Sequence, residues 1–176
     1  MKDKPASQPA PAAKFDPRDF RRALGQYATG VAVVTTRTKD GRRVGLTVNS
    51  FSSVSLDPPL VLWCLTRDSS LLADFTEASH FAVSVLSARQ HHLSRQFATE
   101  LENRFGDSEC FEGRAGCPLL HGATAHFICR SVRQHDGGDH IIFIGEVEDY
   151  QWAEGEPLIF HSGSYHVRTR HPDVPE

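Results

Sequence analysis

Gly45-Leu-Thr-Val-Asn-Ser-Phe-Ser-Ser-Val-Ser-Leu-Asp-Pro-Pro-Leu60 decides the fold class of this chain. Apolar residues alternate with short hydroxyl and amide side chains, and the pattern stops at a double proline, as in a half-buried strand with one polar face. Two readings of that face stand side by side. It is the ordinary solvent face of an antiparallel sheet, or it is a seat for a flat heterocycle, because short polar groups let a ring approach where long charged chains would hold it off.

Working outward, Asp16-Pro17 opens a helix with a capping side chain and a proline at the first helical position. Phe20, Ala23, Leu24 and Tyr27 recur at helical spacing, and the helix is predicted to end near Thr29-Gly30. Val31 to Thr36 is a β-branched strand, and Lys39-Asp-Gly41 is a hairpin signal. Leu60 to Leu65 forms the next strand, with Pro58-Pro59 at its entrance where no ladder bond is lost. Ser69 to Phe75 reads as a short capped helix, Phe81 to Leu86 as a strand, and Ala88 to Thr99 as an amphipathic helix with Leu93 and Phe97 four residues apart. Glu100 to Leu120 reads as a long covering loop. Ala123 to Arg133 and His140 to Tyr150 are long strands around Asp136-Gly-Gly-Asp139, and Pro157 to Phe160 adds a last short strand. About seven strands and three short helices with hairpin-like connections predict a mainly β fold with short helices, an antiparallel barrel rather than a doubly wound sheet.

A chain of 176 residues with 39% hydrophobic content can bury one core of ordinary size. The reading is a disordered tail over 1–14, one domain over 15–170 and a C-terminal tail over 171–176. Residues Met1 to Lys14 are rich in Ala, Pro and Lys and lack the apolar core of a signal peptide. A formal charge of -3 supplies no field to draw in nucleic acid or an anionic membrane, and no apolar run is long enough to span a bilayer. Cys64, Cys110, Cys117 and Cys129 lack zinc-site spacing and read as reduced thiols of a cytoplasmic protein. The histidine pairs His121/His126 and His161/His166, five apart, fall on opposite faces of a strand, so no metal site is expected. No Gly-x-Ser-x-Gly elbow and no Gly-x-Gly-x-x-Gly turn occurs.

Gly137-Gly-Asp-His-Ile-Ile-Phe-Ile-Gly-Glu-Val147 is the second informative tract, a tight turn that presents Asp139 and His140 at a strand start. The imidazole there either stacks on or binds a ligand, or is simply bonded to Asp139.

Four blocks in order resemble the short-chain flavin reductases, the reductase partners of two-component flavin-dependent monooxygenases. They are Phe20 to Thr36, Gly45 to Pro59, Ser84-Val-Leu86, and Gly138-Asp-His140 with Gly145-Glu-Val147, within a similarity that runs from Asp16 to Arg168. The resemblance implies an FMN-binding split β-barrel, normally a homodimer, that uses NADH or NADPH to reduce FMN or FAD for a separate oxygenase. It places the flavin along Arg43, Val44, Gly45, Leu46 and Thr47 and on Asn49 and Ser50. Cys64, Leu65 and Thr66 lie beyond, Ser70 sits at the phosphate, and Phe97 closes the site. The nicotinamide comes from the other side, near Asp139, His140 and the turn Phe160, His161, Ser162, Gly163. His140 is the catalytic position, with the role of orienting the nicotinamide. Hydride passes between the two bound rings, so no dedicated acid or base is required. Two positions depart from the family. Ser162 stands where relatives often carry arginine, and Gln96 where they often carry a basic residue, with Arg67, Arg95 and Arg168 as nearby cations. Alternatives on the same barrel are a flavoprotein oxidase, a reductase of another acceptor, and a flavin-binding module without turnover.

Overall fold

Asp16 caps the first helix, α1 (Pro17–Leu24). Its carboxylate accepts from the amides of Arg18 at 2.7 Å and Asp19 at 3.4 Å. The computed structural model describes residues 15–100, 103–106 and 110–173; the expected tail over 1–14 and residues 174–176 lie outside these. The helix closes at Gly25, earlier than the sequence pattern predicts, and buries none of its residues: Phe20, Leu24 and, just beyond, Tyr27 are exposed.

The strands follow as β1 (Thr29–Gly30), β2 (Ala32–Arg37), β3 (Arg43–Val48), β4 (Ser52–Leu56) and β5 (Pro59–Thr66). After α2 (Leu72–Glu77) come β6 (His80–Val85), a 3-10 turn at Ala88–Gln90 and α3 (His91–Ala98). The remaining elements are β7 (Cys110–Glu112), β8 (Pro118–Leu120), β9 (Ala125–Gly137), β10 (His140–Trp152), β11 (Ile159–His161) and β12 (Ser164–His166). One seven-stranded sheet runs β3-β2-β6-β9-β10-β5-β4, with β1-β11-β12 and β7-β8 as smaller sheets, and the pairings are antiparallel.

The quoted stretch is two strands, not one. Its break at Asn49 to Phe51 has a local cause: the Ser50 hydroxyl accepts from the Cys64 amide at 2.9 Å and donates to the Cys64 carbonyl at 3.3 Å, so a side chain stands in for the ladder there. β3 and β4 thereby become the two edges of the same sheet while remaining adjacent in sequence. The Asp57-Pro58-Pro59 turn starts β5 as expected. α2 starts three residues later than Ser69, because Ser69 instead makes a turn in which its hydroxyl accepts from the Leu71 amide at 3.2 Å.

The expected loop from Glu100 to Leu120 contains β7 and β8, and Cys117, Leu119 and Leu120 are buried against the chain's own sheet. Two layers of core result. In the inner core, on one face of the sheet, Trp63 stacks on Phe143 with ring centroids 4.5 Å apart and meets Phe75 and Phe81 edge-on. On the other face Val31, Val33, Leu86 and Leu158 pack with Leu93 and Phe97 of α3. β2 is buried on both faces, so Ala32, Val33 and Val34 follow one another without alternation, and the buried hydroxyls of Thr35 and Thr36 donate to the Pro118 and His80 carbonyls.

Candidate active site

β3 obeys a period of two. Val44 and Val48 enter the inner core with Leu46 against it, while Gly45 and Thr47 face α3. The Thr47 hydroxyl donates to the Ser94 carbonyl at 2.8 Å, and a Cβ at Gly45 would stand 3.0 Å from Phe97 Cε1 and 3.2 Å from Thr35 Cγ2. The helix therefore packs over the polar face at these two positions, burying Gly45 and leaving Thr47 half-buried. Phe97 is fully buried and meets Phe105 edge-on at 5.0 Å, supporting β3 from beneath.

What β3 leaves open is its backbone edge, because among the described residues it pairs only with β2. Arg104 Nη1 donates to the Gly45 carbonyl at 3.5 Å and to the Phe97 carbonyl at 3.3 Å, so the Gly45 carbonyl points out of the sheet. In an extended antiparallel strand the amide of the same residue points the same way, and so does that of Thr47 two residues on. Outward amides, with the exposed Asn49 side chain at the strand's end, suit a ring that offers carbonyl oxygens and gathers negative charge when reduced. The donor chemistry fits a flavin. Arg43 flanks this edge, its guanidinium 4.8 Å from the Phe105 ring centroid and 3.0 Å from Cys110 Sγ.

Ser50 ties this edge to β5. Burial pushes the half-buried Cys64 thiol up, with the Ser50 hydrogen bond opposing, so Cys64 is a neutral wall and not a nucleophile. Leu65 belongs to the core, and Thr66, half-buried at the end of β5, lies in register with His140. Arg67 clamps the turn before His140: its amide donates to the Asp139 carbonyl and its Nε to the Gly138 carbonyl, each at 2.9 Å, and its guanidinium pairs with Asp136. His140 Nδ1 lies 2.8 Å from the Asp139 carboxylate. That hydrogen bond, then the imidazole's charge, hold the Asp139 carboxyl below the usual carboxylate range, with a further contribution from Arg21. With Nδ1 committed, Nε2 is the ring nitrogen left for a ligand. Ser70 is exposed just ahead of α2.

Phe160, His161, Ser162 and Gly163 lie on the β11–β12 hairpin, whose turn has positive φ at Ser162 (48°) and Gly163 (80°). The Ser162 amide donates to the Gly25 carbonyl at 2.9 Å, and Gln26 Nε2 donates to Ser162 Oγ at 3.2 Å. Tyr165 Oη lies 2.9 Å from Ser94 Oγ. Ser94 thus stands between Thr47 and Tyr165, and joins the open edge of β3 to the C-terminal hairpin. The hairpin is fastened to the end of α1 at Gly25 and Gln26.

The reading of His161 and His166 as opposite faces of one strand is overturned: the turn at Ser162-Gly163 folds them onto paired strands, with ring centroids 5.8 Å apart. His121 and His126 likewise do not share a strand; both rings pack on Phe111. Among the described residues no group of three His, Cys, Asp or Glu is placed to hold a metal. Ser94, Arg104 and Tyr165 carry no sequence signal that distinguishes them, since each acts through a contact distant in sequence. Gln96 acts locally, where its Nε2 donates to the Arg104 and Phe105 carbonyls at 2.8 and 3.1 Å and sets the turn that carries Arg104. Arg95 and Arg168 are exposed.

Residues 24–168 match the family model for a flavin reductase like domain. The chain is 48% identical over 148 residues to the FMN reductase (NADH) SmoA of Agrobacterium fabrum, covering 84% of each chain. It is 40% identical over 148 residues to the reductase component of the flavin-dependent trigonelline monooxygenase of Acinetobacter baylyi. That match takes in 84% of this chain and 48% of the longer relative, so the chain spans about half its length. Among solved structures, the NADH:FAD oxidoreductase SgcE6 of Streptomyces globisporus, in complex with NAD and FAD fragments, is similar with a TM-score of 0.83 and 40% identity, covering 93% of this chain and 100% of that one.

Proposed function

The chain belongs to the flavin reductase like domain family, and from that premise we propose that it is an NADH-dependent flavin reductase supplying reduced FMN or FAD to a separate monooxygenase. The observation that carries the reading is the junction at Ser94, where the amide-bearing edge of β3 and the C-terminal hairpin meet across one helix. A site for two ligands that must touch needs two such walls held at a fixed distance. The names of the similar proteins favour NADH over NADPH and admit both flavins.

The bound flavin and dinucleotide supply the hydride chemistry. The chain binds and orients. Backbone amides at Gly45 and Thr47, with Asn49, take the carbonyl side of the flavin ring, and Arg43 flanks its edge. Val44, Leu46 and Leu65 hold the two strands from the core side, while Cys64 and Thr66 line the wall and Ser70 faces the phosphate. Phe97 acts from below. Asp139 fixes His140 so that Nε2 faces the nicotinamide, and Phe160, His161, Ser162 and Gly163 form the opposite wall.

The same reading takes the large sheet as a split barrel. The support is topological, since strands at its two edges are joined by the short Asn49 to Phe51 connection and must curl toward one another. Residues 15–170 then form the one domain, two copies of the chain make the functional unit, and four unpaired cysteines suit a reducing cytoplasm.

Anaerobic mixing of the protein with NADH and excess FMN tests the activity. The yellow flavin absorbance should disappear for many equivalents of FMN per protein chain. Bleaching that stops at one equivalent, or none at all, would leave a flavin-binding module and refute the reductase. In His140→Ala, the KM for NADH should rise or the turnover fall; if both stay at the unsubstituted values, the orienting role is wrong.

A further inference from the structure

Arg21 and Arg22 close the last turn of α1, a position where a cation ordinarily does no more than answer the helix dipole. Their surroundings assign them more. Both line a cleft of about 270 Å³ between the end of α1 and the Ser162-Gly163 turn, together with Gly25 and Gln26. The turn is fastened there by the Ser162 amide on the Gly25 carbonyl at 2.9 Å and by Gln26 Nε2 on Ser162 Oγ at 3.2 Å, so the cleft is built and not incidental. Among the described residues neither guanidinium has a carboxylate within salt-bridge reach, although Arg18 to Tyr27 are all described. The charge of Arg21 is nonetheless felt at Asp139, the partner of His140. Two cations without a carboxylate partner among the described residues thus stand beside the C-terminal turn assigned to the nicotinamide ligand, and the turn Phe160-His161-Ser162-Gly163 has no Lys or Arg of its own.

We propose that Arg21 and Arg22 are the phosphate clamp of the pyridine dinucleotide, holding its pyrophosphate in the α1 cleft while its nicotinamide end reaches His140. This rests on the reductase reading. The cleft is of a size for a diphosphate and too small for a whole dinucleotide, which leaves the two nucleoside ends to run out of it in opposite directions. Guanidinium pairs bind phosphate oxygens in bidentate fashion, and the Ser162 hydroxyl adds a neutral donor at the same wall. α1 buries none of its residues, so its arginines can be removed without opening the core.

The test compares the unsubstituted protein with the double variant Arg21→Ala/Arg22→Ala and the conservative Arg21→Lys/Arg22→Lys. Direct titration with NADH, followed by nucleotide fluorescence, needs no turnover and so separates this proposal from the activity. The Kd for NADH should rise about tenfold in the alanine pair, as the loss of a charge-assisted contact demands, with partial recovery in the lysine pair. The KM for NADH should rise in parallel, while the KM for FMN and the turnover at saturating NADH stay within about twofold. Raising salt should weaken NADH binding in the unsubstituted protein and do so much less in the alanine pair. An unchanged Kd for NADH overturns the clamp, and so does a rise confined to FMN, which would give the arginines to the flavin phosphate. Failure to bleach FMN with an arginine-dependent Kd for NADH intact would refute the reductase and leave the clamp standing.

Discussion

His126 shows how much one buried polar residue fixes. It is 7% exposed on β9, with Nε2 at 2.8 Å from the Leu120 carbonyl and Nδ1 at 3.4 Å from Gln151 Nε2. That network assigns the neutral tautomer that donates from Nε2 and accepts at Nδ1. Burial pushes its pKa down, the Leu120 hydrogen bond opposes this, and His121 adds to the fall. The unfolded chain takes up a proton on this residue near pH 6.5 while the folded chain still resists it, so the unfolded state gains as pH falls through about 6.5 and below. The urea midpoint should therefore drop between about pH 7.5 and about pH 5.5, and less steeply in His126→Gln. Equal slopes in the two proteins would reject the assignment. Gly145 is a second single-residue constraint. A Cβ there would lie 2.7 Å from Phe81 Cε1 and 2.8 Å from Cys129 Cβ, and Phe81 is itself wedged edge-on against Trp63. Gly145→Ala should cost about 1–3 kcal/mol as an overpacked core, seen as a melting temperature lower by about 3 °C or more.

Among elements, the docking of α3 on β3 carries the most consequence, since it places both the Phe97 support and the Ser94 junction. Thr47→Val keeps the shape and removes the hydroxyl that donates to Ser94, at a cost of about 1 kcal/mol. Gly45→Ala presses on Phe97 and Thr35 and must displace the helix by a few tenths of an ångström. Both substitutions should weaken FMN binding in a fluorescence titration, with Thr47→Ser restoring it. A lower melting temperature with unchanged FMN affinity would mean that helix docking and the flavin edge are independent. This docking also marks where sequence reading stops. Alternation along β3 separates its two faces, but nothing in the alternation says that a helix from residues 91–98 covers one of them. The central strands β2, β6, β9 and β10 are legible because each is long enough to impose a pattern. β1, β7, β8 and β12 have two or three residues each and impose none, so the predicted loop from Glu100 to Leu120 conceals a strand pair, while β11 is legible only as the short apolar run Pro157 to Phe160. The break at Asn49 to Phe51 depends on Ser50 finding the Cys64 backbone, a contact set by the assembled sheet rather than by its neighbours. The site residues proposed on β3, β5 and the Asp139-His140 turn come from family resemblance, whereas Arg104, Tyr165 and the arginines of α1 enter the proposed site only through the fold.

For the whole molecule, the apolar side chains left outside are as informative as the core. Leu56 is 94% exposed and Trp152 70%, with Val54 and Tyr150 exposed beside them in sequence. Val54 and Leu56 lie on β4, an edge strand, and Tyr150 and Trp152 lie on the stretch of β10 that runs past its pairing with β5 and is held by β9 alone. An apolar edge strand is a pairing hazard unless something covers it. The covering segment expected from sequence, Glu100 to Leu120, instead packs Leu119 and Leu120 into its own chain, so the demand for cover falls on β4 and the end of β10. A closed two-fold arrangement covers the same patch on both copies at once. Light scattering at micromolar concentration should give twice the 19.5 kDa chain mass. The pair Val54→Glu/Leu56→Lys should shift the mass toward a single chain, with the far-ultraviolet dichroism of the sheet unchanged. A single-chain mass for the unsubstituted protein would rule the dimer out. A two-chain mass that survives both this pair and Trp152→Glu would move the interface to the other exposed apolar face, the Phe20, Leu24 and Tyr27 side of α1.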